Sequence, residues 1–332
     1  DHVFGIVESP WGSGVLLLIM TTAVIVSGAF FARRTFCRYL CFLGGLAGNY
    51  TRTGAIALRA NPDICRTCTA RAVCFNGGEQ APACPMFEFP RTMDSSADCN
   101  LYANCVKNCP NDAISLTLRQ PTRELWFIRN PRIEASALAV AIMGIVFIQN
   151  ITMLSIWQTV LDWTQSTHGI TSYPIIFTAA FTVAIALPAG LLTLASAAAG
   201  RANGHSTVGN VARFGYALIP LDVAGHIAHN LFHLLAEGKS VFYTALAAVG
   251  VGEHGGSTAL VSTPTIQVLQ YLIVTVGVAG SAYTAYRIAR AAPGTRSSTG
   301  GRWAVLTPYL VLITVFATVN LALFALPMAM RM

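Results

Sequence analysis

Six apolar stretches, each about as long as a bilayer is thick, leave this chain little choice of fold. A spanning helix needs about 20 consecutive apolar residues, and residues 14–32, 135–157, 173–199, 211–236, 265–286 and 303–326 meet that length. Only the fourth carries charged residues inside it. Soluble domains hold roughly 25% charged residues; this 332-residue chain holds 11%, with a mean hydropathy of +0.56. The reading is an all-α polytopic membrane protein of about six transmembrane helices. Pro188 and Pro220 are expected to kink the third and fourth spans. The run 241–252 is too short to cross and reads as an interfacial or re-entrant piece. The chain begins at Asp1 rather than Met, which leaves room for an upstream segment. Asp1 and Glu8 in place of a basic n-region argue against a signal peptide.

Basic residues orient the spans. Stretch 33–134 holds 13 Lys and Arg, loop 200–213 holds 2 and loop 287–302 holds 4, while the opposite side has only Lys239 and Arg331. Nineteen against two places the N-terminus outside and the long insertion in the cytoplasm, as in a protein of the inner (cytoplasmic) membrane. The net charge of +7 is thereby topological, and no nucleic-acid partner is expected, since no basic patch interleaves with aromatics. No internal repeat is evident, and loop 296–301 reads as a flexible linker.

All nine cysteines fall between Cys37 and Cys109, too local for a disulfide framework. Their spacing is Cys65-x2-Cys68-x5-Cys74-x9-Cys84-Pro85, then Cys99-x5-Cys105-x3-Cys109-Pro110. Short spacings let thiolates wrap three corners of an iron–sulfur cage, and the cysteine before Pro ligates the other cage in two-cluster ferredoxins. Cluster I then takes Cys65, Cys68, Cys74 and Cys109. Cluster II takes Cys84, Cys99 and Cys105 and lacks one thiolate, because Tyr102 stands where its middle cysteine is expected. A zinc ribbon needs only four ligands and no Cys-Pro closures. Haem c attachment needs His where Thr69 stands, and a thioredoxin-type pair needs a βαβ context. Cys37 and Cys41, spaced to share one helical face, are either small buried apolar residues or the source of the missing corner. Tyr102 phenolate or a 3Fe-4S cage are the alternatives.

Segment 36–123 resembles the membrane-bound polyferredoxin-type 4Fe-4S proteins of the NapH, NosR and CcoG kind. The stretches that carry the likeness are Phe36-Cys37-Arg38-Tyr39-Leu40-Cys41 and Cys105-Val106-Lys107-Asn108-Cys109-Pro110-Asn111-Asp112-Ala113-Ile114. About a quarter of the chain is covered. Phe42 replaces the Pro expected after Cys41, and Tyr102 replaces a cluster cysteine. The resemblance implies a bis-cluster ferredoxin-like domain inserted after the first membrane helix. It also implies electron transfer linked to the quinone pool of a respiratory chain, with partner redox subunits such as a periplasmic metalloenzyme. The organisation expected is a first transmembrane helix (1–34), a cytoplasmic iron–sulfur domain (35–134) and a five-helix membrane domain (135–332).

The fourth span carries Asp222, His226, His229 and His233 at spacings of 4, 3 and 4, which aligns them on one helical face, continued outward by Glu237. Ionisable residues inside a membrane cost several kcal/mol unless paired or hydrated, and they mark proton or substrate paths. Quinone chemistry suits such a face, since His takes a proton near neutral pH. Haem b needs a second axial His; no other span has one, leaving His168 or His254. A copper, zinc or iron site on the three His is the third reading. The clusters and the outer surface are separated by a core of ~30 Å and tunnelling reaches roughly half that, so a mid-membrane quinone or haem would relay electrons. Gln149, Asn150, Gln267, Gln270 and Asn320 are read as interhelical glue. No NAD or flavin fingerprint is present, so a donor must supply electrons. The leading reading is a membrane electron-transfer subunit, with a metal- or proton-handling transporter or assembly protein as the alternative; a redox-sensing scaffold is a third.

Overall fold

The computed structural model describes residues 10–70, 72–127, 130–250, 257–291 and 299–326. It is mostly helical (72%) with one two-stranded sheet. The chain divides into two compact units, Asp1–Leu138 and Ala139–Met332. Asp1, Glu8, His254, Arg331 and residues 296–298 of loop 296–301 lie outside the described residues.

The first unit begins with α1 (Pro10–Phe30), whose apolar side chains are largely exposed. A π-helical turn (Phe36–Leu40) and α2 (Phe42–Thr51) follow. Strands β1 (Ile56–Ala60) and β2 (Ile114–Leu118) then pair antiparallel, with Ile56 opposite Leu118 and Ala60 opposite Ile114. Between the strands lie α3 (Pro62–Thr67), α4 (Val73–Asn76) and α5 (Asn104–Lys107); α6 (Arg123–Trp126) comes after β2. Asn61 caps α3 by accepting the Asp63 N–H at 3.0 Å. The core is small: Leu58, Cys105 and Ile114 are buried, with Cys74, Met93, Cys99 and Cys109 packed around them.

A buried charge network holds the sheet to its surroundings. Glu124, 6% exposed, accepts from the Ser96 N–H at 2.7 Å and the Ser96 hydroxyl at 2.9 Å, and pairs with the guanidinium groups of Arg59 and Arg119. Arg119 also donates to the carbonyls of Gly54 (2.7 Å) and Thr51 (2.6 Å).

The second unit is a helical bundle. It takes in most of α7 (Ile133–Thr152), then α8 (Ser155–His168), α9 (Tyr173–Asn203), α10 (Thr207–Phe214), a 3-10 turn (Gly215–Leu218), α11 (Ile219–Ala248), α12 (Thr263–Ala291) and α13 (Thr299–Ala325). Helix α7 sits among the others. A side chain at Gly144 would strike the α9 backbone at Ala184 and Ile185, Val146 lies against Gly225 of α11, and the Phe147 ring meets Phe316 of α13 at 5.8 Å. Gly277 of α12 likewise admits Ala224 and the Pro220 carbonyl of α11. Small residues at these crossings let backbones approach, the packing that apolar helices use in lipid.

Among the described residues, five helices are long and apolar enough to cross a membrane: Trp11–Phe30, Ile133–Thr152, Tyr173–Asn203, Thr263–Ala291 and Gly300–Ala325. Three boundaries differ from the sequence reading. The expected span 211–236 is two helices joined by the 3-10 turn. Pro220 does not kink it but opens α11, where a missing N–H breaks no helical bond. α11, though 30 residues long, carries Asp222, Glu237 and Lys239 and is not among the five. The run expected to be interfacial or re-entrant continues α11 to Ala248; residues 251 and 252 lie outside the described residues. The expected span 135–157 ends at Thr152. There the Met153 and Leu154 N–H groups bond three residues back and tighten the last turn before Leu154 extends. Helix α8 was missed altogether: its polar residues at alternate turns read as an outer loop. Pro188 lies inside α9 as expected.

Glu124→Ala would remove the buried carboxylate on which Arg59 and Arg119 converge, and breaking a buried pair costs up to about 3–5 kcal/mol. We expect a clear drop in thermal stability of the solubilised protein and early proteolysis within residues 55–125, with Glu124→Gln intermediate.

Candidate functional site

The nine cysteines are all free thiols, and seven of them gather into two groups within the first unit. Cys65, Cys68, Cys74 and Cys109 lie within electrostatic reach of one another, and so do Cys84, Cys99 and Cys105. Two four-residue helices carry the pivotal thiols: α4 holds Cys74 and α5 holds Cys105, each at its second position. Each is preceded by an alanine in the left-handed region, Ala72 (φ 62°) and Ala103 (φ 60°). Such backbone is costly outside glycine, and Thr122 (φ 65°) takes it before the four-residue α6 as well.

Burial pushes the thiols of Cys65, Cys74, Cys99 and Cys105 up, and repulsion from neighbouring cysteines adds to it. Cys105 is pushed up to about 11, by burial first and then by Cys99 and Cys84. Two donors face sulfur in the first group: Asn111 Nδ2 reaches Cys68 Sγ at 3.2 Å, and the Ala113 N–H reaches Cys109 Sγ at 3.3 Å. Bonds of this kind stabilise a thiolate and tune the potential of a cluster it ligates.

The second group is tied to the chain after α1 by arginines. Arg33 donates to the Cys84 carbonyl at 3.2 Å, and its guanidinium lies 4.4 Å from the Phe75 ring and 4.9 Å from that of Phe87. The Arg34 N–H bonds the Pro85 carbonyl at 3.1 Å. Arg38 bonds the Met86 carbonyl and pairs with Glu88 (3.2 Å) and Asp98 (3.6 Å). Counting these arginines as topological charge missed that role; the signal was the Arg33-Arg34-x3-Arg38 run itself. Tyr102 belongs to the same clamp. Its hydroxyl accepts from Arg34 at 2.5 Å, and its ring lies 4.7 Å from that guanidinium.

Cys37 and Cys41 do not share a regular helical face. Cys37 lies in the π-helical turn, the Cys41 N–H bonds back five residues to Phe36, and Cys41 itself is extended (φ −77°, ψ 118°). Among the described residues, no group of three or more His, Cys, Asp or Glu side chains is placed to hold a metal ion. A cage differs from a single ion in this respect, because it holds its thiolates at the outer corners of a cube. The first group supplies four thiols, as a 4Fe-4S cage requires; the second supplies three.

The second unit holds the polar face of α11. Asp222 is 1% exposed, and neither carboxylate oxygen has a hydrogen-bond partner. His229 is 7% exposed, with its Nδ1 at 3.0 Å from Asn150 Oδ1 of α7. His233 meets the His229 ring at 5.2 Å and Glu237 at 3.2 Å; His226 is half-buried. Among the described residues, His226, His229 and His233 are not placed as a group to hold a metal ion. Gln270 and Gln267 are interhelical glue, donating to Ala228 O at 3.0 Å and Phe324 O at 3.3 Å. Asn150 likewise ties α7 to α11, through His229. His168 packs on Trp163 within α8.

A raised thiol is a slow nucleophile, since only the thiolate reacts. With its pKa at about 11, Cys105 of the metal-free protein should be the slowest of the seven to alkylate. At about pH 8 roughly a thousandth of it is thiolate, and its rate should climb about tenfold per pH unit up to about pH 11. Mass spectrometry of iodoacetamide-labelled peptides checks this. No protein-family model, curated protein or solved structure matches the chain.

Proposed function

We propose that this protein is a membrane electron-transfer subunit that binds two iron–sulfur clusters and exchanges electrons with quinone or a partner redox protein. The observation that carries the reading is the four-plus-three grouping of thiols around the twin helices α4 and α5. When bound, such clusters supply one-electron transfer. The residues of this chain do the rest. Cys65, Cys68, Cys74 and Cys109 bind the first cluster, while Asn111 and the Ala113 N–H steady its thiolates. Cys84, Cys99 and Cys105 bind the second, and Arg33, Arg34 and Arg38 hold that loop to the chain leaving α1. The excess of arginine in segment 33–134 favours a cytoplasmic position for the thiols, and the five apolar helices favour an integral membrane protein. The alternative, a proton- or metal-handling membrane protein with clusters as reductant or sensor, draws on the unpartnered Asp222.

Anaerobic purification with iron, acid-labile sulfide and EPR measurement tests the reading. We expect brown protein with about seven or eight irons per chain, in one four-iron cage and one three- or four-iron cage. Colourless protein with stoichiometric zinc and no sulfide would end it. If Cys37 or Cys41 supplies the missing corner, its replacement by Ser should lower the iron content and Tyr102→Cys in the same chain should restore it. Unchanged content in both serine variants would remove that pair from the site.

A further inference from the structure

We propose that the polar face of α11 is a proton relay, carrying a proton from the loop end of the helix to Asp222 at the depth of the bundle's middle. The inference rests on the second unit alone and does not depend on iron–sulfur binding.

Depth is set by the neighbours of α11. Leu221 and Ala224 lie against Gly277, near the midpoint of α12. The far end of the path lies level with the loop before α12: the Leu260 N–H bonds Leu235 O at 2.8 Å, the Thr258 hydroxyl bonds Ala236 O at 3.2 Å, and the Lys239 N–H bonds Thr258 O at 3.0 Å. At 1.5 Å per residue, Asp222 and Glu237 are about 22 Å apart along the axis.

Titratable groups bridge that distance at helical spacing. Side-chain exposure is 48% at Glu237 and 40% at His233; His229 and Asp222 are 7% and 1% exposed, with the half-buried His226 between them. Glu237 and His233 are bonded, the His229 and His233 rings are edge to face, and His226 and His233 both lie within electrostatic reach of His229. Asn150 sets the tautomer. Its Nδ2 donates to Val146 O at 2.7 Å, so Oδ1 is what faces His229. Nδ1 must then carry a hydrogen and Nε2 is left to accept one, the arrangement a relay histidine needs.

The inner end requires a donor. Both Asp222 oxygens are buried without a partner, and so is Asn320 Oδ1, which lies one turn on, against Gly225. Asn320 is held in that orientation because its Nδ2 donates to Phe316 O at 3.0 Å. No charged residue stands on α7 from Ala139 to Thr152, on α12 from Thr263 to Tyr286, or on α13 from Trp303 to Ala325. The other titratable groups on the packed elements are Glu134, Arg290 and Arg302 at the helix ends, the phenols Tyr216, Tyr271, Tyr283, Tyr286 and Tyr309, of which Tyr309 donates to Ser196, and Arg287, which bonds Tyr283. An arriving proton turns the Asp222 carboxylate into an acid whose O–H supplies the missing donor; its departure returns the proton to water by the same groups.

Infrared difference spectroscopy of the full chain in vesicles tests this. A carboxylic C=O band that vanishes in Asp222→Asn should be present from about pH 5 to pH 8. It should shift promptly on transfer to D2O, and the shift should be slowed about tenfold or more in His229→Phe and in His233→Gln. The half-exposed His233 can be replaced without disturbing the core, so the test survives if His229→Phe misfolds. Exchange at the wild-type rate in His233→Gln would overturn the relay. The absence of any Asp222-dependent acid band would overturn its terminus.

Discussion

A polar group buried away from water must find a partner or carry a cost of kcal/mol, and both units of this protein are organised by that demand. In the helical bundle the threonine hydroxyls bond back one turn, as Thr193 does to Ala189 O and Thr314 to Leu310 O. At the start of α11 the Leu221 N–H has no helical partner, and Ser281 of α12 accepts it at 3.0 Å. Gln267 and Gln270 tie helices together by the same rule. Against that background Asp222 stands out, because the bundle encloses the one group that most needs a partner and provides none.

In the first unit the demand falls on charge. Glu124 is buried only because Ser96, Arg59 and Arg119 converge on it. The core between β1 and β2 is too small to order the long loop from 77 to 103 by apolar burial alone, and arginines and thiols take over that task. Burial, with repulsion from neighbouring cysteines, pushes the Cys65, Cys74, Cys99 and Cys105 thiols up in the bare protein. Where thiolates ligate a metal, that cost is met by binding energy that becomes folding energy.

Much of this was legible in sequence because it is local. Apolar runs give spans by length, and five of the six meet a helix long and apolar enough to cross a membrane; the cysteine spacing gives a four-plus-three grouping. Readings failed where a neighbour decided. Helix α8 was invisible because half its face is polar. Pro220 opens a helix because the 3-10 turn before it has already released the chain. The pairing of Cys37 with Cys41 assumed a regular helix that the π-turn breaks. The arginines after α1 looked like topological charge because the carbonyls they grip belong to residues some fifty positions on.

By itself, then, the chain marks six apolar stretches of spanning length, sorts seven thiols by spacing into a set of four and a set of three, and sets four ionisable residues at helical spacing on one face. Period and spacing suffice for these, since helical pitch and chain length convert them directly into distance. Tertiary structure alone decided that Tyr102 is held by Arg34, that Asn150 orients His229, and that Asp222 is sealed without a partner. Partnership and burial depend on which elements pack together, and no local pattern encodes that.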